Sequence, residues 1–343
     1  MNPNSGNLLL LTGDEIDELL RDREQDILEA VKLAYQAHDR GNTIMPANSY
    51  LRFPNKEKER IIAKPAYLGE GFEVAGIKWI SSFPGNLAKN LERASAALIL
   101  NSIETGRPTA ILESSIISAK RTAASAALAA QYLWPQETVS GVGLVGCGLI
   151  NFETLRFLLA IYPDIGNLNL YDLSPERAEQ FKSKCGQLKP DLNIQICSSF
   201  AELLERSPIV SLATTAVNPH INSLKNCCEN AVILHISLRD FLPEVILQAD
   251  NIADDIEQVC SNNTSLHLTE QQVGDRNFIR GTLGGILNGK IAPYNSQKSM
   301  SIFNPFGLGI LDMAVAKLTQ TLAREQKIGT IIPSFFPKSW LER

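Results

Sequence analysis

The stretch VSGVGLVGCGLI, from Val139 to Ile150, constrains this chain more than any other. Its apolar run through Val142, Leu144 and Val145 stops at Gly146-Cys147-Gly148. NFETLRFLLAIY follows, with Phe152, Leu155, Phe157, Leu158 and Leu159 at roughly helical spacing. The pattern predicts a buried strand, a glycine turn and a helix in direct succession. A pyrophosphate at such a turn needs one glycine for the tight bend and a second so that backbone N–H groups can approach it. It also needs a helix N-terminus to supply the positive end of a dipole. Gly146 and Gly148 meet the first two needs, Leu149 and Ile150 open the helix, and Asn151 stands where the third glycine of GxGxxG would fall.

A second apolar strand, NLNLY, ends at Asp172, about 26 positions after Gly146. A carboxylate there can accept both ribose hydroxyls of an adenosine and repels a 2′-phosphate, so NAD rather than NADP is the expected cofactor. Asp172 also has a plainer reading, as a helix-flanking cap before Ser174-Pro175. Farther on, NIQICSS, AELLERS, IVSLATTA, AVILHISL, PEVILQAD and NIADD alternate apolar strands with helices, which predicts a doubly wound parallel sheet to about residue 300.

At 343 residues the chain is long enough for two domains, because single cores stop growing at roughly 250 to 300 residues. The other domain begins with helices: LLLLTGDEIDELL places Thr12 or Asp14 before an amphipathic helix, and REQDILEAVKLAYQAHDRG repeats Ile27, Val31, Ala34 and Tyr35 before stopping at Gly41. Short strand-like runs follow: SYLRF, ERIIAKPAYL, FEVAGIKWISSF, ASAALILNSIET and RPTAILESSIIS, separated by turn residues. AKRTAASAALAAQYLW is helical and ends at Pro135. The last amphipathic stretch, FGLGILDMAVAKLTQTLAREQ, is expected to fold back on this first, β-rich domain.

Hydrophobic content of 44%, charged content of 20% and a net charge of −5 leave no basic excess for a nucleic-acid backbone. No run approaches the ~18 apolar residues that span a bilayer, and Met1 to Asn7 is polar without a signal pattern. A cytoplasmic protein without membrane or nucleic-acid partners is expected. The six cysteines lack CxxC spacing and the four histidines do not pair with them, so no metal site is expected.

Substrate groups then have to come from the first domain or from loops at the strand ends. Lys78, in VAGIKWISSF, is a lone cation in an apolar strand; it can orient a carboxylate, and if desolvated it becomes a base. Arg121 opens the alanine-rich RTAASAALAA, where a guanidinium has the wrong sign for a helix N-terminus, which points to a bound anion or to a salt bridge with a nearby acid. Arg52 and Lys64 complete a set of four cations on neighbouring runs. Asp240, in HISLRDFLPE, lies just beyond a strand and reads equally as a catalytic group or as a helix cap.

Taken together, IMPANSYLRF, VAGIKWISSFPGN, TGRPTAILESSIISAKRTAASAALAA, GLVGCGLINFETL and SLATTA resemble the ornithine cyclodeaminase and μ-crystallin family over most of the chain. The resemblance implies a Rossmann-type NAD domain over residues 126–306. It also implies a substrate and dimerisation domain from residues 1–125 and 307–343, with strands of two subunits sharing a barrel in a homodimer. It puts substrate-carboxylate cations at Arg52, Lys78 and Arg121, and cofactor contacts at Gly146, Gly148, Leu149, Ile150, Asn151, Asp172, Ala213, Thr214, Thr215 and Ser237. Cyclodeaminases carry an acid and a methionine where this chain has Ile62 and Lys64, which removes the partner for a distal ammonium. Their catalytic aspartate lies six residues before a glutamate; counting back from Glu244 gives Leu238, and Asp240 matches only across a gap, which favours Lys78 as the base.

KWISSFPGN, SAKRTAASAALAA, HISLRDFLPE and NPFGLGILD most resemble members of diaminopropionate and siderophore biosynthesis. These imply NAD⁺-dependent oxidation of N-(2-amino-2-carboxyethyl)-L-glutamate to 2-oxoglutarate and 2,3-diaminopropionate. Cyclodeamination of ornithine, reduction of an imine or keto acid by NADH, and a dinucleotide sensor without turnover are the rival readings.

Overall fold

The computed structural model describes residues 6–295 and 297–342. The first five residues of the polar N-terminal stretch lie outside the described residues. The chain divides into two units, Met1–Arg121 with Gly309–Arg343, and Thr122–Leu308.

Unit 1 is a mixed eight-stranded sheet drawn from both ends of the chain, in the order Thr330–Ile332, Leu8–Leu11, Pro108–Glu113, Ala94–Asn101, Val74–Ser82, Lys56–Leu68 and Thr43–Ile44, with Ser49–Phe53 also paired to Lys56–Leu68. Leu8–Leu11 runs parallel to Pro108–Glu113, and the other pairs are antiparallel. Leu8–Leu11, four leucines read above as the lead-in to a helix, is thus a strand of its own; Thr12 then caps the helix Gly13–Leu19. The spacing of Ile27, Val31, Ala34 and Tyr35 does form one buried face of the helix Glu24–Asp39. The C-terminal helix Gly309–Gln326 packs against that helix and across the strands Lys56–Leu68 and Val74–Ser82. Gly76 permits the approach: a Cβ there would lie 2.3 Å from the Ile99 carbonyl oxygen and 2.9 Å from the Met313 sulfur.

One sequence expectation fails at RPTAILESSIIS. The strand stops at Glu113, and ESSIIS turns into the helix Ser115–Leu133 because the Glu113 carboxylate accepts the N–H groups of Ser115 (2.7 Å) and Ile116 (3.3 Å). Arg121 is therefore two turns into a helix, not at its start, and the dipole argument for an anion there does not hold.

Unit 2 is an all-parallel sheet in the order Asn193–Ile196, Asn167–Tyr171, Gly141–Val145, Ile209–Leu212, Ala231–His235, Met300–Asn304, Asp250–Ala253 and Ile279–Thr282. Strand order reverses between Gly141–Val145 and Ile209–Leu212, the switch point at which open parallel sheets leave a crevice at their carboxyl ends. Met300–Asn304 extends the sheet past the expected limit near residue 300 and sits between two earlier strands.

Candidate active site

In unit 1 the antiparallel register sets Lys64 directly opposite Lys78. Like charges facing each other across strands repel, and both side chains are buried, Lys78 with 1% of its surface exposed. The helix Gly309–Gln326 supplies the answering charge. Lys78 Nζ lies 2.7 Å from both carboxylate oxygens of Asp312 and donates to Oδ1, and it donates to Ser118 Oγ at 3.0 Å. Arg121 Nε donates to the same Asp312 Oδ1 at 3.0 Å, so the salt bridge expected as the plain alternative for Arg121 is the one present.

Burial is the largest influence on Lys78 and lowers its pKa; Asp312 opposes it, Arg121 and Lys64 reinforce it, and the amine settles at about 7. Burial works against the Asp312 charge, but Arg121 and Lys78 outweigh it and hold that carboxyl below its ordinary range. Arg52 does not join this group. It lies on the same sheet face but is paired with Arg60, four residues or about 13 Å along the strand from Lys64, and its exposed guanidinium stacks 5.7 Å from the Tyr50 ring centre.

Asp312 escaped the sequence reading. A single acid between Leu311 and Met313 on an otherwise apolar helix face is its only trace, since such an acid requires a partner once buried.

In unit 2 the strand Gly141–Val145 ends at Gly146, which has a φ of +92°. Any Cβ there would meet the Ala213 carbonyl oxygen at 2.6 Å, so only glycine fits. Gly148 precedes the helix Leu149–Ile161, and a Cβ built on it meets nothing within 4 Å. The turn thus offers open space against a helix N-terminus whose first N–H groups lack intrahelical acceptors, a cradle that fits a pyrophosphate. Asp172 Oδ2 accepts the N–H of Cys147 (2.7 Å) and Oδ1 that of Ser174 (2.9 Å), which ties the end of the second strand to the turn. The Cys147 thiol is buried, which pushes its pKa up to about 12.

Asn151, expected among the cofactor contacts, is wholly buried instead. Its amide donates to the carbonyls of Val145 (2.9 Å) and Gly146 (2.8 Å) and accepts from Ser211 Oγ (2.7 Å), so it braces the turn from beneath.

Asp240 is also wholly buried and caps no helix. It accepts from Thr214 Oγ1 and Ser237 Oγ, each at 2.5 Å, and lies 3.2 Å from His235 Nε2, while His235 Nδ1 lies 2.8 Å from Asn304 Oδ1. Burial raises its pKa, and the bonds from His235, Ser237 and Thr214 outweigh that and lower it. A carboxylate so fully engaged is a bracket joining the ends of two strands. Leu238, at the position counted back from Glu244, has a φ of +71° and packs on the apolar core of unit 2. Thr215 is exposed, and Ala213 and Thr214 border the glycine turn. Among the described residues no group of His, Cys, Asp and Glu could hold a metal ion, and no helix is long and apolar enough to cross a membrane.

A parallel sheet with a glycine turn at its switch point, joined in one chain to a sheet that buries opposed cations around one carboxylate, defines a two-unit α/β protein of dinucleotide-fold type. The chain belongs to the ornithine cyclodeaminase/mu-crystallin family, whose pattern matches residues 9–327. It is 29% identical over 331 residues to N-((2S)-2-amino-2-carboxyethyl)-L-glutamate dehydrogenase of Staphylococcus aureus, covering 95% of this chain and 98% of that one. Its fold is similar to Thermococcus litoralis Δ1-pyrroline-2-carboxylate reductase in complex with NADH and L-proline, with a TM-score of 0.86, 26% identity and coverage of 94% and 99%. It is likewise similar to an archaeal alanine dehydrogenase dimer with bound NAD, with a TM-score of 0.84, 28% identity and coverage of 96% and 100%.

Proposed function

We propose that this protein is an NAD-dependent amino-acid dehydrogenase that oxidises N-(2-amino-2-carboxyethyl)-L-glutamate to 2-oxoglutarate and 2,3-diaminopropionate. The observation that carries the substrate is the charge of the unit 1 site. Lys64, Lys78 and Arg121 are buried together, and Asp312 is the one buried acid of that unit among the described residues. A surplus of buried cations favours a substrate with several carboxylates, each charge-assisted bond contributing roughly 1.5 to 3 kcal/mol. Ile62 lies on the same strand face as Lys64, two residues away, and offers no carboxylate to the distal ammonium of a diamine. The similarity to the staphylococcal enzyme points the same way.

In this reading Arg121 and Lys64 hold substrate carboxylates. Lys78, as the neutral amine, takes the proton from the substrate nitrogen, which frees its lone pair to form a C=N bond to the glutamate-side Cα. Bound NAD⁺ would supply the acceptor for the hydride that leaves that carbon. Water then adds to the C=N bond and cleaves it to the keto acid and the primary amine. In unit 2, Gly146, Gly148 and the N–H groups of Leu149 and Ile150 would hold the pyrophosphate and Asp172 the ribose. Ala213, Thr214, Thr215 and Ser237 line the nicotinamide end, with Thr214 and Ser237 fixed by Asp240.

The test supplies purified protein with NAD⁺ and, separately, this amine, L-ornithine and L-alanine, and follows NADH. Steady NADH formation with the tricarboxylic amine is expected. Proline from ornithine without net NADH would overturn the reading in favour of a cyclodeaminase. A higher kcat/KM for alanine would favour the second reading, a small amino- or imino-acid oxidoreductase, which the similarity to alanine dehydrogenase and to the pyrroline-carboxylate reductase supports.

A further inference from the structure

We infer that Asp312 is the positioning residue for Lys78: it orients the amine through one N–H and, with both oxygens 2.7 Å from Nζ, stabilises the charge that the amine gains when it takes up a proton. This rests on the reading of Lys78 as the base. A neutral amine has two N–H groups and one lone pair. Lys78 directs one N–H to Asp312 Oδ1 at 2.7 Å and the other to Ser118 Oγ at 3.0 Å, which leaves the lone pair along the remaining tetrahedral direction. Asp312 Oδ2 is buried and accepts no hydrogen bond, yet it lies 2.7 Å from the same Nζ. The two oxygens are too close together for separate N–H groups to bond both, so the proton taken up stays in the lone-pair direction and Oδ2 acts on the ammonium through its charge. The carboxylate is held for this purpose from the other side by Arg121 at 3.0 Å.

The charged groups that act on Lys78 are Asp312 on the C-terminal helix, Arg121 on the helix Ser115–Leu133 and Lys64 on the adjoining strand. Two of the three are cations, so the protonated amine is opposed by both and favoured by Asp312 alone. Removing that one carboxylate has a definite sign: the amine gives up its proton more readily, and the base becomes weaker.

The experiment follows Lys78 by NMR in protein labelled with [ε-13C]lysine, the resonance being identified by its loss in Lys78→Met. In Asp312→Asn the titration midpoint is expected to fall by about 1 to 3 pH units, the usual effect of an opposite charge within 4–6 Å. In Asp312→Glu it should return towards the wild-type value. A midpoint that stays in place or rises in Asp312→Asn overturns the inference. If that variant does not fold, Arg121→Gln is compared with Arg121→Gln/Asp312→Asn, which removes both opposed charges: the midpoint should be lower in the double variant, and equal midpoints overturn the proposal. NADH formation tests the reading of function and the NMR midpoint tests Asp312, so each can fail without the other.

Discussion

At the scale of single residues, the proposed chemistry turns on a buried amine whose pKa falls near neutrality. Burial lowers the pKa of Lys78, with Arg121 and Lys64 adding to the effect and Asp312 resisting it, to about 7. With the neutral amine as the proposed base, kcat/KM, which reports the free enzyme, should rise with pH through about 7 and level off above it. Lys78→Met keeps the length and apolar stem of the side chain and leaves the Arg121–Asp312 pair intact. It should lower kcat by about 10²- to 10⁴-fold, the usual contribution of a general base, and should remove the rise near pH 7. Steady-state kinetics across pH check both. A variant that keeps the wild-type profile would move the base to another group.

At the scale of elements, what the chain revealed in advance was what it carries locally. The glycine turn and the strand leading to Asp172 occupy one continuous stretch, and the spacing of Ile27, Val31, Ala34 and Tyr35 is a property of one helix. Asp312 was hidden because its partners are 191 and 234 residues away in sequence, and its own helix shows only one acid among the apolar residues of its first two turns. The start of the helix bearing Arg121 was misread because the two isoleucines of ESSIIS favour a strand, and the Glu113 cap that overrides them depends on where that strand ends. The setting of Asp240 is hidden for a related reason: one of its donors, Thr214, comes from the end of another strand 26 residues away. The contact between the C-terminal helix and the sheet yields a prediction at this scale. Gly76→Ala forces a methyl group against the Ile99 carbonyl and Met313, so it should destabilise the protein by roughly 1 to 3 kcal/mol and lower kcat, since Asp312 adjoins Met313. Urea denaturation gives the first and initial rates the second; unchanged values for both would mean that the helix has slack to move.

At the scale of the whole molecule, the sheet of unit 1 has a second face. Side chains alternate along a strand, so the residues between those that face Asp312 point the other way, and a row of them is apolar. The register aligns Leu51 with Ile61, and Ile77 with Ile99, which in turn aligns with Ile111; Trp79 lies in the row beside Ile77. Leu51 and Trp79 are 46% and 44% exposed. Contiguous apolar surface of this kind marks an interaction face. A second copy of the chain is the occupant proposed here; the archaeal alanine dehydrogenase of similar fold is a dimer. Light scattering should give twice the chain mass of 37.7 kDa. Ile77→Asp would place an unpaired carboxylate in the centre of that face, a cost of several kcal/mol once buried, and should yield the single-chain mass at the same concentration. Its partner row on the other face, Lys64 and Lys78, is untouched by the change, so the Lys78 titration should survive in the monomer. An Ile77→Asp protein that still weighed twice the chain mass would assign the interface to another surface.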